Sequence, residues 1–166
     1  DFCVCIALAL NTKPILGCIA HPPSEIIWVG GSEIGSYKKN SKDDFVEINC
    51  RDVPEEGPTI AISKHHIGPK LEKWLSSINF TNKIKLGSAI KFTLIAEGKA
   101  DIFPRTTPTY EWDSAAGEAI IQGSRGYVTQ MNGTNMVYGR EDKKNPNFIA
   151  FGRPNWGKFL KGNNSG

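Results

Sequence analysis

The chain has 166 residues, of which 39% are hydrophobic, so it can bury the core of one compact unit or of one domain with part of another. Its formal net charge of +3 is mild, and no basic block is present of the kind that tracks a nucleic-acid backbone, which favours a small anionic ligand over a nucleic acid. The apolar run 2–10 is too short to span a bilayer and has no basic flank, which argues against membrane insertion.

The first part of the chain has the pattern of an antiparallel sheet. Strands are predicted at 2–10, 15–20 and 26–29, and the first is apolar on both alternating faces, as in a strand covered on both sides. The glycine-rich segment 30–36 is predicted to be a hairpin turn rather than a phosphate loop, because no helix and no Lys-Ser/Thr ending follow it. Residues 38–57 are polar and predicted to cross to a second sheet.

Strands alternate with helices after residue 57. Strands are predicted at 59–63, 83–86, 100–103, 127–130 and 148–151, and helices at 68–78, 88–96 and 113–122. This alternation favours an α/β layer with a largely parallel sheet. We therefore predict an antiparallel unit over 1–57, an α/β domain over 58–155 and a tail over 156–166.

The four cysteines, at positions 3, 5, 18 and 50, include no Cys-x-x-Cys pair, and Cys3 and Cys5 lie on the same face of one predicted strand. They are interpreted as reduced, mostly buried thiols, which indicates a cytoplasmic protein; peripheral association with the inner membrane is an alternative. No feature of the sequence indicates an oligomeric state.

Three candidate binding residues follow strands of the α/β part. In an open α/β sheet ligands lie beyond the carboxyl ends of the strands, where Ser63, Gly87 and Arg105 are predicted to converge. Arg105 suits bidentate contact with a phosphate, or alternatively a salt bridge to Glu97 or Glu111.

Lys91 lies on a short predicted helix that Gly87 and Ser88 open, where free backbone amides favour a phosphate. The alternative is an exposed helical lysine. Trp74 and Trp112 are interpreted as core residues rather than as platforms for a nucleobase.

Asp113 is predicted to begin a helix of small residues. An acidic side chain there can cap the helix, since the first amides are unpaired and the helix end is positive. The alternative is a ligand of a metal or of a substrate.

Two motifs resemble a known family. The run Trp112-Asp113-x-Ala115-Ala116-Gly117 resembles the C-terminal signature of the inositol-monophosphatase-like phosphatases, which are metal-dependent. Residues 96–105 and the approach Pro108-Thr109-x-Glu111 are similar to the 3′(2′),5′-bisphosphate nucleotidase branch of that superfamily. Segments 87–92 and 145–150 extend the resemblance, which covers nearly the whole chain.

The resemblance implies a layered sandwich fold and a Mg²⁺-dependent phosphatase that converts adenosine 3′,5′-bisphosphate to AMP. Asp113 would be a metal ligand, and Ser63, His66, Gly87, Lys91 and Arg105 would bind the nucleotide; taken without the family, His66 is a surface or capping histidine. Metal ions would activate a water and stabilise the leaving alkoxide.

The upstream glutamate and the Asp-Pro-x-Asp-Gly-Thr loop that hold the metal in that family do not occur in this sequence. The chain is therefore interpreted as a C-terminal portion that is inactive alone. The alternatives are a non-catalytic module that binds a phosphorylated nucleotide, and a member of the inositol monophosphatase branch.

Overall fold

The first half of the chain forms an antiparallel sheet in which each strand pairs with the next one in sequence. The computed structural model describes residues 2–64 and 67–161. The strands are β1 (Val4–Leu10), β2 (Lys13–His21), β3 (Ile26–Gly31), β4 (Gly35–Asn40) and β5 (Val46–Glu47), in the spatial order β1-β2-β3-β4-β5. The first three strands and the hairpin at 30–36 confirm the sequence prediction. Strands β4 and β5 lie partly in the segment that was predicted to be a crossing.

The second sheet is mixed. Its strands are β6 (Thr59–Ser63), β7 (Asn82–Leu86), β8 (Ile102–Arg105), β9 (Tyr127–Gln130) and β10 (Phe148–Phe151), in the order β7-β6-β8-β10-β9. Strand β6 runs parallel to both β7 and β8, whereas β10 is antiparallel to β8 and to β9. Strands β6, β7, β8 and β9 therefore run in one direction, and β10 runs antiparallel to them. The prediction of a largely parallel sheet is correct in this sense.

Within the described residues, three α-helices lie between and beside the sheets. They are α1 (Pro69–Ser76), α2 (Ile90–Ala96) and α3 (Ala115–Gly123). One apolar core joins the first sheet, α2, α3 and one face of the second sheet, with Ile19, Phe92 and Ile120 among its buried members. A second core lies on the other face of the second sheet, where Leu71 of α1 packs with Ile62. The layers therefore follow the order sheet, helices, sheet, helix.

Small residues allow the first sheet and α3 to approach closely. A Cβ atom at Gly17 of β2 would lie 2.2 Å from the backbone oxygen of Ala116, and one at Gly117 would lie 2.3 Å from the Phe92 ring. These distances are well below van der Waals contact, so both positions require glycine.

The outer face of the first sheet is exposed. Val4, Ile6, Leu8 and Leu10 of β1 are each more than half exposed. The sequence prediction that this strand is covered on both sides is therefore wrong for this chain, because only its inner face packs against another layer.

A buried ion pair links the segment after the first sheet to the second sheet. Arg51 contacts Asp101 with two hydrogen bonds, of 2.9 and 2.8 Å, and the side chain of Asp101 is fully buried. The same carboxylate accepts the backbone N–H of Thr59 at the start of β6. Asp101 thus fixes the point at which the chain enters the second sheet.

Residues 154–159 form a 3-10 helix, although the sequence assigned part of them to a tail. The Trp156 ring lies 6.2 Å from that of Trp74 and 5.9 Å from that of Phe151, which places this turn over the second core. Residues 162–166 lie outside the described residues. Within the described part of the chain, none of the helices combines the length and the apolar character that crossing a membrane would need.

Candidate active site

A cleft lies at the carboxyl ends of the parallel strands. Ser63 is the last residue of β6, Gly87 follows β7, and Arg105 ends β8. All three line one cleft of about 690 Å³, together with Lys91 and Asp113. The structure therefore brings the predicted site residues to one place, while their binding of a ligand stays a prediction. His66 lies outside the described residues.

Asp113 lies just before α3 rather than in it. The helix was predicted to begin at this residue, but a 3-10 turn over Glu111–Asp113 precedes it and α3 begins at Ala115. Asp113 Oδ2 accepts the backbone N–H of Tyr110 at 2.8 Å, so its carboxylate caps the short turn and not the long helix. Among the described residues no side chain or backbone group donates to Oδ1.

A strap of downstream residues holds the loop that carries Asp113. Asn145 Nδ2 lies within hydrogen-bond distance of Thr109 Oγ1, Tyr110 O and Ser114 Oγ, and the Asn145 backbone N–H donates to Thr109 O. The backbone N–H of Glu111 donates to Lys143 O at 2.8 Å. The sequence analysis assigned no role to Asn145, because this contact depends on residues more than thirty positions apart.

A buried polar network continues from this loop into α3. Tyr138 Oη donates to Glu118 Oε2 at 2.6 Å and lies 3.1 Å from Ser114 Oγ. Burial raises the pKa of Glu118 to about 7, against the opposing effects of the Tyr138 hydrogen bond and the charge of Arg140. Sequence reasoning missed this acid, since a glutamate in a helix is usually exposed.

Lys91 is buried at the base of the cleft. Its Nζ donates to the backbone oxygens of Leu86 at 3.2 Å and Ser88 at 2.5 Å, and only 2% of the residue is exposed. The alternative of an exposed helical lysine is therefore wrong. Burial, and then the nearby charge of Arg105, lowers the pKa of Lys91 to about 8.

Arg105 has no salt bridge with the acids that the sequence offered as alternatives. Glu97 pairs instead with Lys38 and Lys99, and Glu111 pairs with Arg140. Burial lowers the pKa of Arg105, while the charge of Asp113 opposes this effect. A half-buried guanidinium therefore lines the cleft near the Asp113 carboxylate.

Several polar atoms beside the cleft are buried without a partner. Among the described residues, these include Ser88 Oγ and Arg105 Nε, both in the cleft lining, and Thr106 Oγ1 and Thr107 Oγ1 in the segment between the lining residues Arg105 and Pro108. Ser88 also adopts a φ of +52°, an uncommon backbone conformation for a non-glycine residue. Unpaired buried donors are costly in a folded protein, so a group of them at one cleft indicates a site for an anionic ligand.

Two aromatic rings form an exposed wall of the cleft. The Tyr110 and Trp112 rings are stacked, with centroids 4.7 Å apart and planes 6° apart, and Trp112 is 60% exposed. The interpretation of Trp112 as a core residue is therefore wrong, whereas Trp74 does pack on the second core. The order of residues could not reveal this, because Trp112 belongs to a 3-10 turn that projects from the core.

Two thiols also line the cleft. Cys3 lies directly before β1 and Cys5 lies in it, with their sulfur atoms 3.6 Å apart. A hydrogen bond from Cys5 lowers the pKa of Cys3 to about 5, and the same contact together with burial raises that of Cys5.

The described residues do not contain all the ligands of a metal centre. No group of three or more His, Cys, Asp or Glu side chains within 2–64 and 67–161 is arranged to hold a metal ion. Asp113 can supply one carboxylate ligand from the cleft wall. The residues present therefore do not form a complete site for a catalytic metal.

Comparison with known proteins gives a consistent result. The chain is 33% identical over 149 residues to the 3′(2′),5′-bisphosphate nucleotidases CysQ of Salmonella typhimurium and Escherichia coli K12, covering 89% of this chain and 59% of each relative. The crystal structure of CysQ from Bacteroides thetaiotaomicron matches with a TM-score of 0.80 at 31% identity, covering 90% of this chain and 62% of that one. An inositol monophosphatase from Zymomonas mobilis shares the fold, with a TM-score of 0.78 at 20% identity over 93% of this chain and 58% of that one.

The chain thus spans about three-fifths of the length of these relatives. The sequence profile of the inositol monophosphatase family matches residues 1–153. This match covers the cleft, the Asp113 loop and both sheets, and the chain belongs to the inositol monophosphatase family.

Proposed function

We propose that this chain forms the substrate-binding part of a phosphatase that removes the 3′-phosphate of adenosine 3′,5′-bisphosphate, giving AMP and phosphate. The proposal is supported by relatives that are named as 3′(2′),5′-bisphosphate nucleotidases and are 33% identical to this chain. Because the chain spans about three-fifths of their length, we assign the hydrolytic activity to the complete protein. Free cysteines suit a reducing compartment, so we place the reaction in the cytoplasm.

One observation carries the proposal: the cationic side chains of Lys91 and Arg105, and two buried polar atoms without a described partner, line the cleft. Ser88 Oγ and Arg105 Nε are buried with no partner among the described residues, and the Lys91 ammonium lies in the same wall. Phosphate oxygens would accept from these donors and balance the two positive charges. We therefore propose that Arg105 and Lys91 hold a phosphoryl group, with Ser63, His66 and Gly87 completing the site.

The stacked rings of Tyr110 and Trp112 favour a nucleotide over an inositol phosphate. They present a flat, exposed aromatic surface at the cleft. A nucleobase can stack on such a surface, and each stacked base contributes about 1–3 kcal/mol. A cyclitol offers no aromatic face, so the inositol monophosphatase branch remains the second candidate.

Asp113 is the proposed metal ligand. Magnesium prefers carboxylate and water oxygens, and among the described residues that line the cleft Asp113 is the one carboxylate. In the complete protein we propose that Mg²⁺ supplies Lewis-acid chemistry at the phosphoryl group. The residues of this chain bind and orient the substrate, and the Asn145 strap fixes the position of Asp113.

Equilibrium binding tests the substrate site. Calorimetry on the 166-residue chain should detect binding of adenosine 3′,5′-bisphosphate. Arg105→Ala should weaken it at least about tenfold, because one charged hydrogen-bonding group contributes about 1.5–3 kcal/mol. Arg153→Ala is the matched control and should bind like the parent chain, since Arg153 pairs with the exposed Asp52 away from the cleft. Equal affinity of the two variants would contradict the proposal.

Phosphate release separates the phosphatase from a non-catalytic binding module. The 166-residue chain should release no phosphate with magnesium present, because one carboxylate cannot organise the metal centre. Turnover by this chain that Asp113→Asn abolishes would contradict this expectation. In a full-length protein the same substitution should lower the rate by orders of magnitude, whereas a binding module would retain its affinity in the presence of a chelator. Rates on inositol 1-phosphate then identify the branch.

A further inference from the structure

The thiols of Cys3 and Cys5 form a pair that the proposed phosphatase function does not use. Their sulfur atoms lie 3.6 Å apart in the wall of the cleft, and both residues are partly exposed. Cys18 lies on the neighbouring strand β2, opposite Ile6, and the buried Cys50 contacts Ser124. The chain thus has one close pair of thiols, and that pair faces the opening in which a ligand is expected.

The backbone geometry permits a bond between the two sulfur atoms. Residues two positions apart in an extended strand have Cα atoms about 6.6 Å apart. Disulfides span Cα separations of about 4.4–6.8 Å, so this pair lies within the range, near its upper limit. The sulfur atoms are already in contact, 3.6 Å apart. A disulfide also needs Cβ atoms about 3.8 Å apart, closer than same-face neighbours of an extended strand, so bond formation requires Cys3, which precedes β1, to move toward Cys5.

The surroundings of the pair favour reaction. A thiolate is the nucleophilic form of cysteine, and the hydrogen bond from Cys5 stabilises the thiolate of Cys3. Burial instead raises the pKa of Cys18 and of Cys50, which keeps these thiols protonated. Lys91 lines the same cleft and interacts electrostatically with Cys3, which also favours the thiolate of Cys3.

We propose that Cys3 and Cys5 are an oxidative modification site, at which a hydroperoxide converts the two thiols into a disulfide. The sulfur of Cys3 attacks the terminal peroxide oxygen, the O–O bond breaks, and the peroxide leaves as an alcohol, or as water from hydrogen peroxide. The sulfur of Cys5 then attacks the sulfenic acid, an S–S bond forms, the S–O bond breaks, and water leaves. The two thiols lose two electrons and two protons, and the peroxide gains them.

Mass spectrometry of the whole chain tests this proposal directly. The chain is treated with stoichiometric hydrogen peroxide, free thiols are blocked with iodoacetamide, and the peptide 1–12, released by an endoprotease that cuts on the amino side of Lys13, is weighed. We expect this peptide to lose two hydrogens, to escape alkylation and to regain both thiols with dithiothreitol. The pair should react at least about tenfold faster than Cys18. Complete alkylation of Cys3 and Cys5 after treatment, or oxidation no faster than that of Cys18, would overturn the proposal.

Two substitutions distinguish a specific reaction of Cys3 with Cys5 from unspecific oxidation of the cysteines. In Cys5→Ser the reaction should stop at the sulfenic acid of Cys3, which dimedone traps, whereas Cys18→Ser should form the disulfide like the parent chain. A Cys5→Ser chain that yields no trapped sulfenic acid contradicts the assignment of Cys3 as the attacking thiol.

Ligand protection tests the location of the pair in the cleft, and this step alone rests on the proposed function. Where calorimetry shows that adenosine 3′,5′-bisphosphate binds, its presence should slow disulfide formation several-fold. Bound nucleotide that leaves the rate unchanged contradicts the placement of the thiols in the occupied cleft. Failure of the nucleotide to bind contradicts the proposed function, while the measurement on the nucleotide-free chain still decides the dithiol proposal.

Discussion

The two sheets differ in what covers them. The first sheet packs its inner face on α3 and exposes its outer face, so that Ile6 is 66% exposed while Ile19 on the neighbouring strand is fully buried. The second sheet is covered on both faces, by α2 and α3 on one side and by α1 with the turn at 154–159 on the other. An apolar strand pattern therefore predicts that a face of the strand is hydrophobic, but it does not predict whether another layer covers that face.

A large loss of stability is expected when the ion pair between Arg51 and Asp101, which joins these two regions, is removed. Asp101→Ala should lower the free energy of unfolding by about 3 kcal/mol, because the buried N–H of Thr59 loses its acceptor and Arg51, whose side chain is 40% exposed, loses two hydrogen bonds. Urea denaturation measures the change. Glu55→Ala, in an exposed turn, is the control and should cost less than about 0.5 kcal/mol. Similar losses in both variants would show that the second sheet does not depend on this link.

The contrast between the two faces of the first sheet can be measured with one pair of substitutions. Ile19→Ala should cost about 3 kcal/mol, because it leaves a cavity in the core. Ile6→Ala removes the same atoms from the exposed face and should cost less than about 0.5 kcal/mol. Denaturation of the two variants under one set of conditions gives the difference directly, and equal losses would mean that the outer face is covered in solution.

Glu118, on the helix between the two sheets, should make stability depend on pH. Its pKa in the folded chain is about 7, above the value of about 4.3 for an unfolded chain, so between these values the folded state keeps a proton that the unfolded state loses. The contribution of Glu118 to the free energy of unfolding should therefore fall as pH rises through this window and level off above pH 7, whereas the lowered pKa of Cys3 gives a contribution of the opposite sign. Glu118→Gln should remove this fall, a difference of up to about 3 kcal/mol.

Urea denaturation of both proteins from pH 4.5 to 8 measures this effect, with Glu72→Gln on α1 as the control. Curves that stay parallel for the parent chain and Glu118→Gln would show that Glu118 is ionised throughout the range.

The smallest loss of stability is expected from a substitution at the close contact between the first sheet and α3. Gly17→Ala should cost about 2 kcal/mol, because the added methyl group meets the backbone oxygen of Ala116, which cannot rotate away. Gly157→Ala has open space around the new methyl group and should be nearly neutral. Thermal unfolding compares the two variants, and an unchanged midpoint for Gly17→Ala would show that the inner face has room to adjust.

Local patterns predicted the elements of the second sheet well. Strands β9 and β10 begin and end where the alternation of residue types placed them, and the shared carboxyl edge of the parallel strands brought Ser63, Gly87 and Arg105 together. Strands β4 and β5 were missed because they are short and polar, and pairing with their neighbours, rather than apolar content, makes them strands.

The details of the candidate site depended on contacts between distant parts of the chain. Helix α3 begins at Ala115 rather than at the predicted Asp113, because the Asp113 carboxylate caps the preceding turn. The roles of Asn145 and Tyr138 follow from side-chain contacts with the Asp113 loop and with Glu118. No spacing rule relates these residues, since tertiary packing alone brings them together.

The strap through Asn145 also sets when the site can form during synthesis. Each strand of the first sheet pairs with the next in sequence, so its pairing partners are all present once residue 47 has been made. The hydrogen bonds that hold the Asp113 loop cannot form before Asn145 has been made. Strand β9 pairs with the second sheet through β10, which begins at Phe148. Contacts over long sequence separations form late in folding. A nascent chain that stalls before residue 145 would therefore carry a paired first sheet without a finished ligand cleft, and binding would appear only after residue 145 has been made.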